Sequence, residues 1–383
     1  MSDYSEVTSE GWFSRIKDSI KGVLVGLVLF VLAFPVLWFN EGRAVRTAKS
    51  LEEGAGAVVS VGSDKVDGAH EGKLVHLSGN TATTDVLTDD TFGVTFNGIK
   101  LQRAVEMYQW VEEEKEESSK KVGGSKETKK TYSYKKEWAD DLENSSEFKV
   151  KEGHENPAEM PVKEQEWTAA NVTLGAFSLP SRLVERVGKA AALSVDSAAL
   201  AKVSGAFKAK AKALNGGFYI GADPANPAIG DLKVSFKAVK PAVVSVVAVQ
   251  RGNSFEPYKA KAGGEVELLE QGNKPAAEMF QSAQDDNATL TWILRVIGFL
   301  MMAFGVYMVA RPVAVLGDVV PFVGSFFAFG AGIFGFLIAM VGSSLTVAVA
   351  WIFYRPLLGI LLLVVTGGGA AGLMALKRKQ KTG

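Results

Sequence analysis

Apolar residues gather at the two ends of this chain, and polar residues fill the middle. A charge-free run occupies 22–39. Three more runs follow the long polar stretch, at 292–316, 322–354 and 357–376, and little charge interrupts them. A hydrocarbon core about 30 Å thick takes roughly 20 apolar residues per helix, so each run predicts one transmembrane helix. The first run has 18 residues and ends in Trp38-Phe39-Asn40-Glu41 instead of a small-x-small cleavage site. That pattern predicts an uncleaved signal anchor, with a kink at Pro35. The 36 residues from Val319 to Tyr354 are too few for two spans and a turn. They predict one tilted helix with a lead-in at 321–324, a re-entrant segment being the alternative.

Positive charge beside the spans predicts their orientation. The tail at 377–383 carries Lys377, Arg378, Lys379 and Lys381 and is expected in the cytoplasm. Four spans put the N-terminal tail, 1–21, on the same side, where Arg15, Lys17 and Lys21 precede the first span. The stretch 40–291 is then an extracytoplasmic domain, periplasmic or lumenal. Arg43, Arg46 and Lys49 argue the other way, but a long domain translocates largely regardless of its charge.

Within that domain the periodicity mixes strands and helices, an α+β pattern. Residues 58–61 and 73–77 read as short strands. From Arg103 to Glu112, Val105, Met107 and Val111 alternate with Glu106, Tyr108, Trp110 and Glu112, which is strand spacing. Thr131, Tyr132, Tyr134 and Trp138 continue in the same style after Gly123-Gly124. Together they predict a long charged hairpin over about 103–138 with a solvated tip, a disordered tip being the alternative. Acids at 112–117 face bases at 126–130 and can pair across the arms, each pair worth about 0.2–1 kcal/mol. The Ala- and Lys-rich stretch 182–214 predicts one or two amphipathic helices, packed on the sheet or, for 202–212, lying on a membrane surface. Alternation returns at 230–239, and 243–249 is apolar enough for a central strand buried on both faces. A short strand at 265–269 follows, and Pro275 opens a helix leading into the second span.

Composition narrows the chemistry. Hydrophobic residues make up 47% and charged ones 22%, with a net charge of zero, so nothing predicts nucleic-acid binding. With no cysteine, disulfides, thiolate metal sites and cysteine nucleophiles are excluded. The absence of cysteine in an extracytoplasmic domain fits a bacterial origin better than an animal secretory one. The three histidines, His70, His76 and His154, lack metal-ligand spacing. No GxSxG elbow, P-loop or dinucleotide fingerprint is present, so neither an enzyme nor a cofactor is expected. Glu106 and Glu112 read as solvated carboxylates.

Several segments, taken together with four spans, resemble one known family. They are Asn40-Glu41-Gly42-Arg43-Ala44 after the first span, the strand containing Glu106, Tyr108 and Trp110, and Gly153-His154-Glu155-Asn156-Pro157. Gly230-Asp231-Leu232-Lys233-Val234 and Phe353-Tyr354-Arg355-Pro356-Leu357 complete the set. In order and spacing they resemble the LUMA family of four-span proteins (transmembrane protein 43) along essentially the whole chain. The resemblance implies a multi-pass protein of the endoplasmic reticulum and inner nuclear membrane in animals, or of the inner membrane in a bacterium. It also implies a non-enzymatic membrane organiser that oligomerises. Lamin and emerin partners are implied only for a eukaryotic member. No catalytic residue carries over.

Two sets of residues remain as candidates. Arg43, Arg295 and Arg355 sit near predicted span ends, where they anchor at the interface or contact lipid phosphate. Gly22 and Gly26 in the first span, and Gly330, Gly332 and Gly335 in the third, form small-residue faces that let helices approach closely. Those faces serve packing within the chain or self-association. The leading function is a self-associating scaffold that presents its domain to membrane lipids or partner proteins. A lipid-binding or lipid-modifying protein is the alternative, and a channel or transporter subunit a weaker one, because Asp318 is the only acid between Trp292 and Gly383.

Overall fold

The computed structural model describes residues 4–356. The expected fourth span at 357–376 and the tail at 377–383 lie outside the described residues. Among the described residues, three helices are long and apolar enough to cross a membrane. Helix α1 covers Trp12–Ala57 and runs through Pro35 without a break in assignment. The short α2, Ser181–Val184, belongs to the soluble part. Helix α3 covers Ala276–Gly317 and α4 covers Pro321–Tyr354, the latter a single helix. Both long helices next to the domain extend well past their apolar runs, so the spans enter the domain without a linker.

Small residues set how the spans pack. A side-chain carbon added at Gly26 would lie 2.7 Å from the carbonyl oxygen of Gly305, and one at Gly298 would lie 2.6 Å from the Leu37 side chain. Gly335 meets α3 in the same way, at the carbonyl of Ala303. Gly22 and Gly26 therefore serve packing inside the chain, whereas Gly330 and Gly332 face open space.

The soluble domain is built on two mainly antiparallel sheets. The eight-stranded sheet runs in the order Tyr4–Glu10, Lys126–Ala139, Lys100–Lys120, Leu232–Val239, Gly217–Ile220, Ala211–Leu214, with two further short strands attached. The seven-stranded sheet centres on Leu74–Thr83 and Val243–Arg251. One core joins them, in which Leu77, Val244 and Val246 pack with Leu101, Val105, Val234 and Phe236. The opposite face of Val243–Arg251 presents Val247 and Val249 to Leu51 of α1 and to Met279 and Phe280 of α3. That strand is apolar on both faces because one meets the domain core and the other the helix ends.

The stretch 182–214 departs from the helical expectation. Beyond α2 it forms strands Ala191–Leu193 and Ala211–Leu214, separated by 3-10 turns at Ser197–Lys202 and Gly205–Phe207. Gly188, Gly205 and Asn215 adopt positive φ, which no helix interior accepts. Pairing with Leu232–Val239 and Gly217–Ile220 then outweighs the local helix preference of Ala and Lys.

The expected hairpin is present, with arms Lys100–Lys120 and Lys126–Ala139. Its base is pinned by Asn156. The Asn156 side chain accepts from the Trp110 amide at 2.8 Å and donates to the carbonyls of Trp110 (2.8 Å) and Glu143 (3.1 Å). The Trp110 ring stands edge-on to His154 at 4.6 Å, and His154 stacks on Tyr134 at 4.0 Å. Burial, together with a hydrogen bond to Glu112, pushes the Tyr134 hydroxyl up to about 12. Acids and bases pair across the arms as expected, for example Glu114 with Lys130 at 2.7 Å. The tip is not free. Gly124 is buried, and a carbon added there would lie 2.4 Å from the Trp12 ring. The N-terminal strand Tyr4–Glu10 joins the second arm in full antiparallel register, making a three-stranded ribbon.

Two substitutions test this packing. Gly26→Ile should disrupt the α1–α3 crossing and lower the thermal midpoint in detergent by several degrees, while Gly330→Ile should leave it unchanged. Asn156→Ala strands the Trp110 amide and should cost about 1–3 kcal/mol in denaturant unfolding. Hydrogen exchange at that amide should accelerate in parallel.

Candidate functional site: a buried polar junction at the end of the spans

Glu41 is the unusual residue of α1. It follows directly on the apolar run, yet its side chain has no exposed surface. A carboxylate buried in this way needs donors on every side, or its desolvation is uncompensated. Three donors meet it. Arg295 of α3 approaches in a two-pronged fashion, Nε at 2.6 Å from Oε1 and Nη2 at 2.9 Å from Oε2. The indole Nε1 of Trp351 on α4 donates to Oε2 at 2.8 Å. The Arg295 guanidinium also lies 4.8 Å from the Trp292 ring centre and 5.6 Å from that of Trp351. The fixed fork of Arg suits both the carboxylate and the aromatic faces.

One turn further along, a second cluster ties α1 to α3. Arg43 donates to Asn287 Oδ1 at 2.9 Å, Thr291 Oγ1 at 3.0 Å and Asn40 Oδ1 at 3.2 Å. Asn40 donates to the carbonyl of Thr291 and Asn287 to that of Ala44, each at 3.0 Å. Asn287, Thr291 and Arg295 stand four residues apart, so they form one stripe along α3. Gly42 completes the junction by close approach: a carbon added there would lie 2.7 Å from the Tyr354 ring. Tyr354 and Phe353 in turn pack on Trp38, at 5.6 and 5.5 Å between ring centres.

Of the interface arginines expected from the sequence, two are therefore internal. Arg43 and Arg295 face protein partners, while Arg355 is partly exposed at the end of α4, beside the exposed Pro356, with no ion pair among the described residues. The domain motifs form a separate cluster. Pro157 packs near Gly230, whose φ of 91° sets a turn. Asp231 accepts from the Tyr219 hydroxyl at 2.5 Å, which together with burial holds that phenol well above its usual range. Glu106 is exposed opposite Lys233, and Tyr108 packs on Trp138 at 5.2 Å. Sequence reasoning missed Asn287, Thr291, Trp292 and Trp351. The four-residue polar spacing on α3 was the available signal. No group of His and carboxylates among the described residues could hold a metal ion.

A sequence model of the family described as Transmembrane protein 43 matches residues 107–356. Transmembrane protein 43 of Mus musculus is 38% identical over 372 residues, covering 93% of this chain and 90% of the relative. The chain belongs to the transmembrane protein 43 family. The Homo sapiens member is 37% identical, with 92% of this chain and 89% of the relative covered. The Drosophila melanogaster homolog is 32% identical, with 89% and 91% covered. No solved structure matches the chain. In this transmembrane protein 43 family member, the five motif segments that carry the resemblance converge in two groups. Asn40–Ala44 meets Tyr354 of the last motif, and Asn156-Pro157 meets Trp110 and Gly230.

A groove beside the junction opens toward the membrane-facing side. It has a volume of about 500 Å³ and is lined by Leu37, Trp292, Arg295, Val296, Val347 and Trp351 among others.

The junction makes a quantitative prediction. Glu41→Gln or Arg295→Met alone leaves an unpaired buried charge and should cost about 3–5 kcal/mol. The double variant should lose much less than the sum of the two. Denaturant unfolding in detergent measures both; additive losses would contradict a coupled pair.

Proposed function

We propose that this family member is a non-enzymatic integral membrane scaffold that self-associates and presents its large domain to membrane lipids or partner proteins. The observation that carries this reading is the saturated junction at Glu41. The Glu41 carboxylate is spent on Arg295 and Trp351, in an arrangement that fixes the domain end of α1 on the other spans instead of leaving that carboxylate free. A platform needs such a joint, since a domain on a loose linker would not hold a defined orientation relative to the bilayer. The exposed face of α4 around Gly330 and Gly332 supports self-association, because small residues allow a second helix to approach closely. The start of α1 at Arg15 and the basic tail are assigned to the cytoplasm on the strength of their charge, and the strand Tyr4–Glu10 runs back from there along the hairpin. A lipid-binding role for the same platform draws support from the apolar groove lined by Trp292, Val296 and Val347, aromatic and aliphatic groups suited to an acyl chain.

The mass of the protein in nanodiscs, by light scattering and particle imaging, tests the scaffold reading. A closed oligomer of defined size is expected, and Gly330→Ile together with Gly332→Ile should shift it toward smaller species. A monomeric mass at low detergent would remove self-association.

A further inference from the structure

The three-stranded ribbon is fixed at both ends of the span bundle. At one end the domain packs on Leu51 of α1 and Phe280 of α3. At the other, the ribbon tip is held beside the start of α1 and the turn between α3 and α4. The amide of Gly123 donates to the carbonyl of Val319 at 3.0 Å, and Lys120 pairs with Asp318 at 2.7 Å. Arg15 of α1 pairs with Asp318 and donates to the carbonyl of Gly124, while Trp12 Nε1 donates to the carbonyl of Val315 at 2.8 Å. Asp318 is almost completely buried there.

These two ends lie on opposite sides of the apolar band. From Arg15 to Glu41, α1 rises about 39 Å at 1.5 Å per residue, more than a hydrocarbon core of about 30 Å. The ribbon is also longer than that core. From Trp110 to Lys120 its first arm extends about 33 Å at about 3.3 Å per residue. Between the two anchors the arm is polar on both faces, and every residue from Glu113 to Lys120 is exposed. The spans do not cover it, and the outer edges of the N-terminal strand and of the arm beyond Glu112 have no strand partner among the described residues.

Such a segment is incompatible with lipid. Each charge at the bilayer centre is disfavoured roughly a hundredfold, and an open sheet edge at that depth leaves backbone groups unsatisfied. The three described spans lie to one side of the ribbon and cannot enclose it alone. We propose that the ribbon crosses the bilayer inside a water-filled passage enclosed by several copies of this chain, and that the passage admits small hydrophilic solutes or ions. The proposal rests on the self-association reading and adds a transport role to it. Acids dominate the first arm and bases the second, and they pair across the ribbon, so the passage carries no single sign of charge with which to select cations or anions.

The absence of cysteine makes the test direct. Val122→Cys marks the tip and Asn253→Cys the exposed far side of the domain; both are placed in one chain and reconstituted in sealed vesicles. A polymer-linked maleimide, too bulky for the passage and added outside, should attach once per molecule, never twice. Lys115→Cys, at mid-ribbon, should react with a small charged thiosulfonate at least about tenfold faster than the outward-facing Phe329→Cys, since thiols react in water as thiolates. Two polymer labels per molecule would put tip and domain on one side and overturn the passage. So would a mid-ribbon cysteine that ignores the charged reagent. With an oligomeric mass in nanodiscs, either result sinks the passage alone, whereas a monomeric mass sinks self-association and the passage together.

Discussion

A carboxylate enclosed by three helices governs this architecture. Glu41 cannot remain charged without Arg295 and Trp351, and those residues come from α3 and α4. The pair is compatible with only one vertical register of the helices. That register brings Gly26 to Gly305, Leu37 to Gly298 and Gly42 to Tyr354, where no side-chain carbon fits. Dispersion between close backbones is the main attraction between helices in lipid, which gives no hydrophobic driving force. The ion pair therefore selects a register, and the glycines make that register close-packed. The same register carries Leu51 and Phe280 to the sheet strand Val243–Arg251, so the domain is positioned by the choice made about three turns below it.

Much of this was legible in the sequence. The apolar runs located the three described spans because composition alone decides whether a helix can cross a bilayer. Strand alternation located the hairpin and the strand at Leu232–Val239, and an uninterrupted apolar run marked Val243–Val249 as buried on both faces. The residues Asn40 to Arg43 stood out as motif positions, and Arg43 and Arg295 as interface or lipid contacts, whereas both arginines face protein partners. A hydropathy pattern gives each residue's depth and says nothing of its rotation about the helix. Arg295 therefore reads alike whether it faces headgroups or Glu41. Only the partners on α3, Asn287 and Thr291, spaced with Arg295 along one stripe, carried the rotational information.

The stretch 182–214 shows the opposite limit. Ala and Lys are good helix formers, and the apolar spacing near four supported that reading. Left-handed residues at Gly188, Gly205 and Asn215 interrupt the helical path, so no single helix can run through the segment. What fills the gap is strand pairing, distant for Ala191–Leu193 with Leu232–Val239 and a tight hairpin for Ala211–Leu214 with Gly217–Ile220. Local propensity is a weak preference per residue, and a cross-strand ladder with a buried face outweighs it.

Asp318 shows how one residue changes meaning with its surroundings. In the sequence it is the lone acid of the C-terminal region, placed in a short turn where solvation is the simplest account. In the fold it is buried and neutralised by two cations from segments far apart in the chain, Arg15 ahead of the first span and Lys120 at the hairpin tip. A single acid with two basic partners gains more from each because the partners also shield it from water, and no surface pair achieves this. The cluster closes the bundle at one end as the Glu41 junction closes it at the other. Between the two lie the apolar faces of α1, α3 and α4 on one side and a charged ribbon of matching length on the other. The helices demand lipid and the ribbon demands water at the same depth. Both demands can be met only if the chain stands at a boundary between the two media, with its spans toward one and its ribbon toward the other.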